Sequence, residues 1–118
     1  MKKYTVPILT EEYKVNVFIG RKKELIKHGE KYCNDKNFSS FFNGRGLTVN
    51  GFDFKPVKPP AIFVDGDLPY PIAIATLAHE ASHAVDYLID FLGIKDSSGE
   101  LLAHGIAAIM RHSLKGIK

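Results

Sequence analysis

An α+β domain is the fold class this sequence predicts, and three observations predict it. Residues 72–92 run without glycine or proline and repeat apolar side chains at helical spacing. Shorter apolar segments upstream alternate as strands do, and glycines and prolines separate them. Residues 1–12 read as a loose leader. Tyr13 to Ile19 alternates Val15, Val17 and Ile19 against Lys14, Asn16 and Phe18, a half-buried strand closed by Gly20. Arg21 to Tyr32 has helical character around Leu25 and Ile26. Asn34 to Gly46, rich in Asn, Ser and Gly, reads as a loop. Leu47–Val49 and Phe52–Phe54 flank Asn50-Gly51, a hairpin signal. Ala61 to Asp65 is a short strand beside Pro59 and Pro60, which suggests a sheet edge. Pro71 suits the first turn of the long helix, Gly93 stops it, and a last helix spans about Gly99 to Lys115. The order is strand, helix, a meander of two or three strands, long helix, final helix.

The 118 residues fit one domain, 1–118, with a hydrophobic core. Apolar content of 45% and charged content of 25% are those of a soluble globular chain. The single cysteine, Cys33, cannot build an internal disulfide and fits a reducing cytoplasm. The N-terminus lacks the apolar stretch of a signal peptide, and no run approaches the roughly 20 apolar residues of a membrane span. A cytoplasmic protein with no membrane partner is the expectation.

The long helix carries His79-Glu80-Ala81-Ser82-His83, an HExxH motif. A shuffled chain of this composition contains that pattern roughly once in a hundred. Residues four apart share a helix face, so both imidazoles can reach one metal ion at about 2.0–2.1 Å. Glu80, one position round the helix, can hold a metal-bound water and act as its general base. Ile74, Leu77, Ala81, Val85, Leu88 and Leu92 form the apolar stripe, with His79, His83, Asp86 and Asp90 opposite. The helix therefore turns its back to a core and its histidines away from it.

A catalytic zinc usually takes three protein ligands and keeps one open position. The last helix offers Glu100 and His104, four apart on one face, and the short turn from Gly93 to Gly99 brings that helix back toward the motif. Ser97-x-x-Glu100 is also a capping box, so two roles compete for one carboxylate. Whichever of Glu100 and His104 is not a ligand can support the site or donate to a developing oxyanion.

The HExxH helix followed, after a short linker, by a helix carrying Glu100 resembles the gluzincin branch of the zincin-like metallopeptidases. Its compact form, with a small sheet and Glu100-x-x-Ala103, is similar to small phage or prophage-borne peptidases and to the core of ImmA/IrrE-type regulators. The likeness covers roughly residues 60–112, and only the five-residue motif is strongly specific. It implies a minimal zincin-like fold: a small twisted sheet, an N-terminal helix, the motif helix, and a C-terminal helix supplying the third ligand. It implies Zn2+ on His79, His83 and Glu100, Glu80 as base, and a peptide or protein substrate. It also implies that Ala61–Asp65 is an edge strand to which an extended peptide adds. The family's acid-base or oxyanion donor has no motif here; His104, Tyr87, Tyr70 and His112 are the candidates, with His104 placed in the catalytic set.

Other residues carry lesser expectations. Asp86, one turn past His83, is placed to orient an imidazole, and Arg111 to pair with Asp86 or Asp90. Arg21, Lys22, Lys23, Lys27 and Lys31 lack the aromatic interleaving of a nucleic-acid surface, and the net charge is only +3. A solvated helix face is the better account of them. A zinc-dependent peptidase is the leading expectation, and a non-catalytic zinc-binding regulatory or interaction module on the same scaffold is the alternative.

Overall fold

A four-stranded mixed sheet divides the molecule into two helical layers. The computed structural model describes residues 1–42 and 44–117; Asn43, within the expected 34–46 loop, and Lys118 lie outside the described residues. The elements are β1 (Lys2–Ile8), β2 (Thr10–Gly20), α1 (Lys22–Cys33), α2 (Phe38–Phe41), β3 (Gly46–Val49), β4 (Ala61–Asp65), α3 (Tyr70–Leu92) and α4 (Glu100–Ser113). Strands β1 and β2 are antiparallel, β2 and β4 parallel, and β3 and β4 antiparallel. Among the described residues no helix is long and apolar enough to cross a membrane.

Alternation along the strands sorts side chains to the two faces. Val6, Ile8, Val15, Val17, Ile19, Ile62 and Val64 pack under α3 and α4. Phe18, Ala61 and Phe63 point the other way, onto Leu25, Phe38 and Phe42 from α1 and the α2 region. Val15 to Ile19 is therefore buried on both faces rather than half-buried. On the second face, the His28 ring is tilted by 49° against that of Phe18 with centroids 4.4 Å apart, and its Nε2 is buried without a hydrogen-bond partner among the described residues. Burial, and then the charges of Lys3 and Lys31, push the His28 pKa down. The unfolded chain thus binds this proton more readily than the folded one. The stability contributed by neutral His28 is complete above about pH 6.5 and falls away as pH drops through the lowered folded value. Replacing His28 with leucine is expected to flatten the loss of urea midpoint between about pH 7 and pH 5. An unaltered acid limb removes His28 as its source.

Four further expectations are corrected. The supposed leader is strand β1, whose Tyr4, Val6 and Ile8 face the core in period two; as an edge strand it tolerates Pro7. Asn50-Gly51 does not close a hairpin, and Phe52–Phe54 is not a strand. The Asn50 side chain accepts from the Phe52 N–H and starts a 3-10 turn over Gly51–Asp53. Gly51 is required because a Cβ there would lie 2.2 Å from the Pro59 carbonyl oxygen. Strand β3 is the edge on that side of the sheet, and β4 is interior, bonded to β2 and β3. Its four consecutive buried residues, Ala61–Val64, are the mark of a strand covered on both faces. Finally, the first turn of α4 is capped by Asp96, whose carboxylate accepts from the N–H groups of Leu101 and Leu102 at 3.1 and 2.9 Å; no Ser97–Glu100 box forms.

Candidate metal centre and groove

The motif helix is α3, and its burial follows the expected division. Ala73, Leu77, Ala81, Ala84, Val85 and Leu88 are buried, while His79, His83, Asp86 and Asp90 are exposed. The two imidazoles converge. Their Nε2 atoms stand 3.2 Å apart, with the rings nearly perpendicular at 89°. Two nitrogens on one tetrahedral zinc, each about 2.05 Å from it, are about 3.3 Å apart. The pair therefore already has the spacing of two ligands of one ion.

Glu80 turns the other way, into the seam between α3 and β3, and retains 9% of its surface exposure. The Thr48 hydroxyl donates to Glu80 Oε1 at 2.8 Å and lies 3.0 Å from the Glu80 carbonyl oxygen. The edge strand thus fixes the carboxylate in the groove that His79 also lines. The close approach of β3 depends on Gly46, where a Cβ would meet Thr76 Cγ2 at 2.7 Å and Glu80 Cγ at 3.1 Å. A groove of about 620 Å³ runs along this seam, lined by Gly44, Arg45 and Gly46 on one side and by Pro71, Ile72, Ala75, Thr76, His79 and Glu80 on the other. That is the size of a small-ligand or short-peptide cleft.

Neither Thr48 nor Arg45 was singled out by the motif. The available signals are slight: a lone hydroxyl in Leu47-Thr48-Val49, and an arginine between two glycines.

The C-terminal helix lies elsewhere. Residues 93–99 turn α4 back along α3, and the two meet where Gly105 lies against Val85; a Cβ on Gly105 would sit 2.7 Å from both Val85 methyls. At about 1.5 Å per residue, Glu100 then falls about 10 Å along the helix axis from the level of His83, toward the far end of α3. Glu100 is exposed there, and His104 lines a separate cleft of about 390 Å³ with Pro7, Leu9, Thr10, Arg111 and His112. Among the described residues no group of three His, Cys, Asp or Glu side chains is placed to hold a metal ion. The structure brings His79 and His83 together, sets His79 and Glu80 on one groove, and does not bring Glu100 or His104 to the pair.

Of the remaining candidates, Tyr87 lies one helical turn past His83 on α3, whereas Tyr70 and His112 stand at other points of the fold. His112 Nδ1 hydrogen-bonds the Ala108 carbonyl oxygen at 2.8 Å. Tyr70 is exposed at the start of α3, and Tyr87 is half-buried. Among the described residues no ion pair joins Arg111 to Asp86 or Asp90, and neither carboxylate hydrogen-bonds an imidazole. Cys33 is half-buried, and burial pushes its thiol pKa up, away from a reactive thiolate. Compared with models of known families, with curated proteins and with solved structures, the chain matches none.

Proposed function

We propose that this chain is a zinc-dependent peptidase in which His79 and His83 hold the metal and Glu80 is the general base. The observation that carries the proposal is the convergence of the two Nε2 atoms to 3.2 Å, with a carboxylate held by a neighbouring strand in the groove that His79 lines. Zinc, when bound, supplies the Lewis acidity that polarises a carbonyl and brings water toward a pKa of about 7.

Glu80 takes up the proton of the attacking water and passes it to the departing amine. Thr48 binds Oε1 and so fixes the plane of the carboxylate, leaving its other oxygen for the proton. The substrate adds as an extended segment to the free edge of β3, which takes the place assigned to Ala61–Asp65 from the sequence. Apolar Pro71, Ile72 and Ala75 in the groove suit an apolar substrate side chain.

A second proposal is favoured by a specific observation, the shortfall of protein donors at the histidine pair. On it, the chain is a zinc-binding interaction module, with remaining coordination positions filled from outside the fold. Metal analysis of purified protein dialysed against zinc, followed by a peptide screen with and without chelator, separates the two. Stoichiometric zinc with chelator-sensitive cleavage is the expected result. Zinc without cleavage of any peptide favours the module, and failure to retain zinc removes both.

A further inference from the structure

We propose that Arg45 and the first turn of α3 form a carboxylate subsite, so that the substrate is a peptide whose C-terminal carboxylate ends in the groove. The inference rests on the groove being the substrate cleft and goes further by naming what the cleft reads.

Three features converge on it. Arg45 lines the groove, is exposed to it, and among the described residues has no carboxylate partner. A guanidinium with no ion pair beside an apolar wall is suited to a planar anion, which it can bind through two parallel N–H donors. Second, the opposite wall begins at the N-terminus of a 23-residue helix, where Pro69 provides no side-chain cap, and Pro71 and Ile72 line the same groove. The positive end of the helix dipole adds to the field of Arg45; with Pro71 lacking an N–H, Tyr70 and Ile72 are the backbone donors of that turn.

Third, strand polarity places a chain terminus there. β3 runs from Gly46 to Val49, with Gly46 beside Thr76 and Thr48 beside Glu80. A peptide adding antiparallel to β3, the more stable pairing, runs from the Val49 end to the Gly46 end. Its C-terminal side therefore passes Glu80 and arrives at Arg45. Between these points lie Ile72 and Ala75, which offer an apolar surface to the preceding side chain. Cleavage on this geometry releases a short C-terminal fragment.

The test reads binding, so that it does not depend on turnover. The probes are fluorescein-labelled apolar pentapeptides, identical except for a free C-terminal acid, a C-terminal amide, or an amide with glutamate as the last residue. They are titrated by anisotropy against the full-length Glu80→Gln protein, with and without added Arg45→Gln or Arg45→Lys. The acid is expected to bind about tenfold more tightly than the amide, the lower end for hydrogen bonds to a charged group. Arg45→Gln should erase that difference without weakening the amide, and Arg45→Lys should restore part of it. Equal affinity for acid and amide, or a preference indifferent to Arg45→Gln, overturns the subsite. Glutamate-amide binding as tight as the acid overturns the C-terminal assignment and gives the site to an acidic side chain. An acid preference in a protein that hydrolyses nothing would sink the peptidase proposal alone. Hydrolysis of acids and amides alike, unchanged by Arg45→Gln in the otherwise native chain, would sink only the subsite.

Discussion

Glu80→Gln is expected to leave zinc uptake unchanged and to lower peptide turnover by about 10²–10⁴-fold, the usual contribution of a positioned general base. The substitution is close to isosteric, which matters because Glu80 is buried against β3. Its amide oxygen can still accept from the Thr48 hydroxyl, now 2.8 Å from Oε1, so the strand–helix seam should be preserved. What is lost is the ability to take up a proton. The imidazoles of His79 and His83 are exposed on the neighbouring arc of the helix and do not depend on Glu80 for their spacing. Zinc content by atomic emission and kcat on a peptide cleaved by the native chain are the two readouts. Turnover within about threefold of the native value would eliminate Glu80 as the base, since no such role is worth so little.

The parts of this molecule legible in the sequence are those governed by neighbours along the chain. Residues 72–92 have no helix breaker and a continuous apolar stripe, and α3 spans Tyr70–Leu92 with Gly93 in the left-handed conformation after it. HExxH is similarly local: a spacing of four on one helix is enough to bring two imidazoles together. Strand pairing is not local. Nothing near Gly46–Val49 says that it joins Ala61–Asp65 rather than the segment just beyond Asn50-Gly51. Gly51 looked like a hairpin glycine, but its missing side chain makes room for the Pro59 carbonyl. The four consecutive buried residues of β4 were the better guide to its interior position than the adjacent prolines.

The expected metal triad shows the same boundary between local and non-local information. Helix α3 continues well beyond His83 before Gly93 ends it, so the returning α4 begins far from the histidines. The Gly105–Val85 contact marks the relative level of the two helices, and it places Glu100 near the distal end of α3. A count of residues between His83 and Glu100 contains the length of linker but not how much of that length is spent in helix. Conversely, Arg45 and Thr48 enter the groove through the pairing of β3, which the motif does not encode.

His83→Ala should reduce zinc affinity at least about a hundredfold, more than is typical for loss of a group that only supports a ligand. In the proposed site the imidazole supplies one of two protein donors, and solvent would not replace its geometry. His79→Ala should do the same. Both rings are exposed, and alanine is the better helix former, so stability in the absence of metal should change by no more than about 0.5 kcal/mol. That separates lost coordination from lost folding, with competition against a chelating dye giving the first and urea denaturation the second. Glu100→Ala supplies the discriminating comparison. With Glu100 about 10 Å from the level of His83, its removal should alter zinc affinity by less than about threefold. If Glu100→Ala instead matches the loss seen for His83→Ala, the carboxylate does reach the ion. That result would mean that α4 shifts along α3 when zinc binds, and the contact of Gly105 with Val85 would have to break for it to happen.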